Sequence, residues 1–199
     1  LDRTTTEMSG SGERESDGSR TSPFDLFMLE LNLPWERWCV LGRLGEKEKQ
    51  VSLTDLGLES GRPYLIYEYW SETFLGTVSD TIILCPIDPA YNCQLYCIRP
   101  GRQNPQVLAT SRHISCGATD LSGVAWDNGV LSGTSRPVPS EEYTLMIHEP
   151  AGYGSSGIDI TGGKLISVTK KGAVRRITLL NDDAGEISWK LDYSSGPGN

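Results

Sequence analysis

Val124-Ala125-Trp126-Asp127-Asn128-Gly129-Val130-Leu131-Ser132-Gly133 places Asn-Gly between two short runs of strand-forming residues. Both turn residues tolerate positive φ, which a two-residue hairpin requires at its central positions. This stretch predicts antiparallel strands over Val124 to Asp127 and Val130 to Gly133. Further apolar runs follow at Tyr143 to His148, Lys164 to Thr169, Val174 to Leu180 and Ile187 to Tyr193. Asp159-Ile160-Thr161-Gly162-Gly163 reads as a turn, and Asp182-Asp183-Ala184-Gly185 as the last hairpin turn.

The pattern continues upstream. Trp38 to Leu44 is short and apolar, Gly45 to Gln50 is a charged tip, and Val51 and Leu53 resume the alternation, which predicts a hairpin. Pro63 opens a strand over Tyr64 to Trp70, and Thr81 to Leu84 and Gln94 to Ile98 add two more. Pro86, Pro89 and Pro100 interrupt any helical reading. The one helical candidate is Pro23 to Leu31, with Phe24, Phe27, Met28 and Leu31 on one side. Strands recurring at roughly 8–12 residues predict an all-β chain of β-sandwich or barrel layers.

Residues 1–23 hold almost no large apolar side chains and read as a disordered linker or loop. Pro100 to Pro105 is polar and stiffened by proline at both ends, so the domains are placed at 24–103 and 104–199. The 199 residues include 37% hydrophobic residues, 22 Gly and 11 Pro, enough for real cores linked by many turns. A net charge of -8 and a pI near 4.8 repel phosphates, so no nucleic-acid partner is expected. No run of about 18 apolar residues is present, so no membrane span is expected. The chain begins at Leu1 with no signal-peptide pattern and reads as a piece of a longer polypeptide.

The odd count of cysteines (Cys39, Cys85, Cys93, Cys97, Cys116) leaves at least one thiol outside any intramolecular pairing. Cys93 and Cys97 fall on one strand face with Leu95 and read as small core residues. With only His113 and His148 to join them, no metal site and no cofactor are expected.

Candidate reacting groups are incomplete. Glu141-Glu142 and Asp182-Asp183 are adjacent pairs, whereas a glycosidase holds two carboxyls about 5–9 Å apart across a cleft. Turn and rim positions are the better account. Ser111, His113 and Asp120 lack the Gly-x-Ser-x-Gly elbow, and loop-tying hydrogen bonds explain them better. Gly152-Tyr153-Gly154 and Gly162-Gly163 precede no helix, which a phosphate loop would need. Aromatics remain. Tyr64, Tyr67, Tyr69 and Trp70 alternate along one strand, so some are core while others are free to stack on a sugar ring or a partner domain.

Several segments resemble, in order, the C-terminal β-domains of melibiase-type α-galactosidases and related retaining glycoside hydrolases. They are Tyr67-Glu68-Tyr69-Trp70 with Phe74-Leu75-Gly76, Cys93 to Pro100, and Gln106 to Ile114 with its Thr110-Ser111-Arg112-His113 core, ending at Gly117. Trp126-Asp127 with Leu131-Ser132-Gly133 completes the set, which covers residues 24 to 193. Ala109 stands where the family usually has glycine, and Gly42-Arg43 where Asn-Trp is common. The resemblance implies an upstream (β/α)₈ barrel, absent from this chain, that carries both catalytic aspartates. It also implies two antiparallel β-sandwich domains, with residues 24–103 closing one side of the barrel and the second domain immunoglobulin-like. No catalytic residue transfers to this chain. The implied function is a non-catalytic accessory region, with Tyr67, Trp70, Arg112, His113 and Trp126 as carbohydrate or domain-interface candidates. The alternatives are a stand-alone carbohydrate-binding module, with Trp70, Tyr67 or Trp126 as its platform, and an immunoglobulin-like protein-interaction module.

Overall fold

The structure is a computed structural model that describes residues 2–7, 25–45, 47–87 and 90–194. Among them it is all-β: sixteen strands, every pairing antiparallel, and no helix. The chain divides into two compact units, one of residues 1–32 and 37–100, the other of residues 33–36 and 101–199.

The first unit contains β1 (Asp2–Glu7), β2 (Leu26–Asn32), β3 (Arg37–Arg43), β4 (Lys49–Ser52), β5 (Tyr64–Glu68), β6 (Thr73–Val78), β7 (Thr81–Leu84) and β8 (Gln94–Pro100). Six of them form one sheet in the order β1-β2-β3-β8-β5-β6, and β4 and β7 form a two-stranded ribbon. Leu26, Met28, Leu41, Ile66, Tyr96 and Ile98 of the sheet share a core with Val51, Ile82 and Leu84 of the ribbon. Leu53 and Leu56, on the turn after β4, complete it. Arg43 is 1% exposed, and its guanidinium binds ribbon and sheet together. It donates to the carbonyls of Leu84 (3.1 Å) and Cys85 (2.6 Å) and to Gln94 Oε1 (3.1 Å).

The second unit contains β9 (Gln106–Thr110), β10 (Leu121–Asp127), β11 (Val130–Ser135), β12 (Glu142–His148), β13 (Gly154–Thr161), β14 (Lys164–Lys171), β15 (Val174–Leu180) and β16 (Ile187–Ser194). They form two four-stranded sheets, β10-β11-β16-β13 and β14-β15-β12-β9. Leu131, Ile187, Trp189 and Leu191 from one sheet bury against Val107, Leu145, Ile147, Ile177 and Leu179 from the other, which makes a β-sandwich. Trp189 is 1% exposed and its Nε1 donates to Ser135 Oγ at 2.9 Å. Its ring occupies the space above Gly133, where a Cβ would stand 2.5 Å from Trp189 Cζ2, so this position admits only glycine without rearrangement. Asn128 and Gly129 take φ of 46° and 82° and join β10 to β11, as their sequence predicts.

Several expectations require correction. Within residues 1–23, Asp2–Glu7 is a strand paired with β2 from Asp2↔Asn32 to Glu7↔Phe27. Backbone hydrogen bonds along an edge form this strand, and Thr4-Thr5-Thr6 is β-branched, so the scarcity of apolar residues did not exclude it. Residues 8–24 lie outside the described residues. The helical candidate Pro23 to Leu31 is β2 over Leu26–Asn32, with Leu26 and Met28 inward and Phe27 outward, a period of two. The expected hairpin around Gly45 to Gln50 does not form, because β3 pairs with β2 and β8 while β4 pairs with β7. Asp182 to Gly185 is not a hairpin turn either, since β15 and β16 lie in different sheets. In the stretch Asp159 to Gly163, residues through Thr161 belong to β13, and only Gly162-Gly163 connects it across to β14.

Candidate functional site

Tyr67, one of the proposed platform residues, is on β5 and 1% exposed, so its ring offers no face to a ligand. Trp70 has a different environment. It lies just past β5, in the turn Tyr69 to Glu72 that leads into β6, where Glu72 takes a φ of 49°. Glu68 organises that turn: Oε2 accepts the Ser71 N–H at 2.6 Å and Oε1 accepts the Leu95 N–H at 3.1 Å. Trp70 thereby meets the Tyr69 ring edge-on at 5.1 Å and stacks on Tyr91 at 5.9 Å with 14° between the planes.

The stacked pair forms one wall of a cleft of about 200 Å³. Leu75 and Pro86 add apolar surface, Ser71 and Thr73 add hydroxyls, and Gln94 and Tyr96 of β8 reach it from the buried side. Cys85 and Cys93 also line it, the first exposed and the second half-buried, both as free thiols. Many polar groups here already have partners. Gln94 receives Arg43 and donates to the Pro86 carbonyl at 3.3 Å, and both oxygens of Glu68 accept backbone N–H groups. Trp70 Nε1 is buried with no partner among the described residues, and the buried Tyr96 hydroxyl lies beside the Arg43 guanidinium. Burial pushes the Tyr96 phenol up to about 12, against the opposing pull of the Arg43 guanidinium, so it stays protonated.

The remaining candidates belong to the second unit. Ser111 follows β9. Its N–H donates to the Thr144 carbonyl at 3.0 Å and its Oγ accepts the Thr144 N–H at 2.8 Å. His113 Nδ1 accepts the Ser115 N–H at 3.1 Å and lies 2.9 Å from Ser115 Oγ. An acceptor Nδ1 places the imidazole proton on Nε2. Asp120 accepts from the Tyr143 hydroxyl at 2.9 Å and from Thr119 Oγ1 at 3.2 Å. In these bonds Ser111, His113 and Asp120 do not contact one another. Arg112, His113 and Ile114 are exposed. Trp126 packs in an aromatic corner with Tyr153 (5.7 Å) and Tyr193 (5.6 Å), half-buried at the edge of the sandwich core.

The buried carboxylates are also engaged. Glu36 receives Arg102 at 3.1 Å and Gln106 Nε2 at 3.4 Å. Glu149 receives Arg175 Nε at 2.6 Å and Lys170 Nζ at 2.6 Å. Burial works to raise the Glu149 pKa, but these two cations outweigh it and hold the carboxyl below its ordinary range. Among the described residues, no three His, Cys, Asp or Glu side chains converge as metal ligands.

Sequence reasoning picked out Trp70 and Trp126 as aromatic but missed Tyr91, Tyr96 and Gln94. Tyr91 follows proline-rich residues and Tyr96 sits in an apolar strand, so only the adjacency of β5 and β8 brings them to Trp70. No family model matches this chain, and no characterised protein matches it significantly.

Proposed function

We propose that this chain is a non-catalytic accessory region of a glycoside hydrolase of the α-galactosidase type. It would pack against an upstream (β/α)₈ barrel that performs the chemistry, with the second unit as its immunoglobulin-like domain. The observation that carries the non-catalytic part is the state of the carboxylates. Glu36, Glu68, Asp120 and Glu149 are the buried ones among the described residues, and each is held by donors of the chain itself. Glycoside hydrolysis needs two carboxyls free to reach a scissile bond. Among the described residues Glu68 is the one carboxylate lining the aromatic cleft, and its oxygens are committed to backbone N–H groups. The family assignment draws on the ordered resemblance of residues 24 to 193 and its Ser-Arg-His stretch. On this reading Arg112, His113 and Ile114 face the barrel.

The 199-residue chain is expected to hydrolyse no aryl α-galactoside. Turnover that persists through purification to homogeneity would refute the non-catalytic reading. The coding sequence upstream of Leu1 tests the family assignment. Strand–helix alternation with an aspartate at the ends of two strands supports it, and any other fold there rejects it.

A further inference from the structure

All eight residues of β14, Lys164–Lys171, are exposed, although the strand belongs to a sandwich. It is an edge strand: β15 pairs with it on one side, and no described strand pairs with it on the other. Leu165 and Val168 lie opposite Leu179 and Ile177, and residues paired across two strands share a face of the sheet. Leu179 and Ile177 are core residues, yet Leu165 is 43% exposed and Val168 36%. The facing sheet therefore stops short of β14 and leaves apolar surface on its inner face. Ile166, at the register irregularity between Leu165 and Ser167, is 46% exposed as well. The lysines of β14 stand at its two ends, so residues 165–169, Leu-Ile-Ser-Val-Thr, form an uncharged, strand-forming centre. An edge of this kind offers its outer N–H and C=O groups to an added strand.

Charge selects the occupant. The chain as a whole carries -8, but β14 and β15 hold Lys164, Lys170, Lys171, Arg175 and Arg176 and no Asp or Glu. Asp182 engages Lys164, and the single carboxylate of Glu149 engages both Lys170 and Arg175, so the strand pair keeps an excess of positive charge. A second copy of the chain fits poorly, since antiparallel pairing of β14 with itself sets Lys164 opposite Lys171 at both ends. We propose that β14 is the docking edge for an extended acidic segment of a partner protein, added as a further strand to the β14-β15-β12-β9 sheet. Inward apolar side chains of the segment cover Leu165 and Val168, and its carboxylates meet the lysines at the two ends. β9, which leads into the Ser111 to Ile114 stretch, is the opposite edge of the same sheet. The surface is therefore separate from the one assigned to the barrel and stands or fails without it.

The test is fluorescence anisotropy of labelled peptides titrated with the 199-residue chain, together with hydrogen exchange read by mass spectrometry. The probe is Glu-Glu-Val-Thr-Val-Thr-Glu-Glu. Its controls are the same peptide with lysine for every glutamate, and with proline for both valines. The probe is expected to saturate, to slow exchange at residues 164–171, and to bind at least about tenfold more tightly than either control. Lys171→Glu, a change at an exposed position, should weaken it about fivefold. Val168→Glu sets a charge on the docking face and should weaken it at least about tenfold, with the urea midpoint reporting whether the fold is intact. No saturation by the acidic peptide up to its solubility limit would overturn the proposal. Equal affinity for the proline peptide, which can supply charge but not strand pairing, would do the same, as would unchanged affinity in Lys171→Glu. Exchange at residues 164–171 that is already as slow in the free chain as at residues 174–180 would show the edge covered and overturn it. Binding of heparin or of phosphatidylserine vesicles in place of the peptide would assign the edge to another occupant and reject the proposal. A dimer in sedimentation that Val168→Glu abolishes would reject it in the same way.

Discussion

Replacing Glu149 by glutamine isolates the buried ion cluster of the second unit. The Glu149 side chain is fully buried, Arg175 is 14% exposed and Lys170 is 39% exposed. Lys170 is open enough to water that its share is well under about 1 kcal/mol. Arg175 contributes more, through Nε at 2.6 Å to Oε1 and a second nitrogen at 3.3 Å to Oε2. A charge-assisted hydrogen bond is worth about 1.5–3 kcal/mol. Glutamine keeps one acceptor but turns an N–H₂ toward a cation, so the loss, net of the relieved carboxylate burial, is about 3 kcal/mol. For a unit of this size that corresponds to a fall in Tm of roughly 12–24 °C. Folding lowers the Glu149 pKa, so its contribution is complete above the unfolded value, about 4.3, and is lost as pH falls through the folded value. Glutamine does not titrate. Urea unfolding followed by circular dichroism should therefore show the full gap between wild type and Glu149→Gln at about pH 7, closing toward about pH 3. A gap under about 1 kcal/mol at neutral pH, or one unchanged at acid pH, would refute the assignment of this cluster as stabilising.

Two further outcomes follow from packing. Gly133→Ala drives a methyl to 2.5 Å from Trp189 Cζ2 and 2.8 Å from Cη2, on a ring already held by Ser135. Overpacking of this kind costs about 1–3 kcal/mol, and an unchanged urea midpoint would refute it. Burial pushes the Cys39 thiol up to about 12, with Cys97 and Glu30 adding to the rise, while Cys85 is exposed. Iodoacetamide at mildly alkaline pH should therefore alkylate Cys85 first and Cys39, Cys97 and Cys116 only in denaturant. Peptide mass spectrometry reads the order, and native labelling of Cys39 would contradict it.

What the sequence disclosed was what its local chemistry determines. Asn128-Gly129 announces its turn because both conformations are intrinsic to those residues. Val174–Leu180 matches its expected bounds, with β-branched or apolar residues at every position but Arg175 and Arg176. Residues Gly154 to Gly157 gave no signal for β13, since the first turn of that strand is Gly-Ser-Ser-Gly and it is held by backbone pairing to β16, with an irregularity between Ser155 and Gly157. Phe24, Phe27, Met28 and Leu31 fall at i, i+3, i+4 and i+7 and match a helical face, whereas the buried alternation of Leu26 and Met28 is too short a signal to compete, so pairing with the neighbouring strands decided the segment. Pairing order was the hardest to read. β4 with β7, and β5 beside β8, depend on which faces meet in the core, and the cleft is a product of that second adjacency.

β16 is the last strand described, yet it lies between β11 and β13, in the middle of its sheet. While the polypeptide is being synthesised, those two neighbours emerge with an empty lane between them, and the sandwich lacks Trp189 until translation has passed it. A product that stops short of residue 187 would carry unpaired edges on β11 and β13 where β16 belongs, and would be drawn into strand exchange or aggregates. For this unit, the fold cannot close before residues 187–194 have been made.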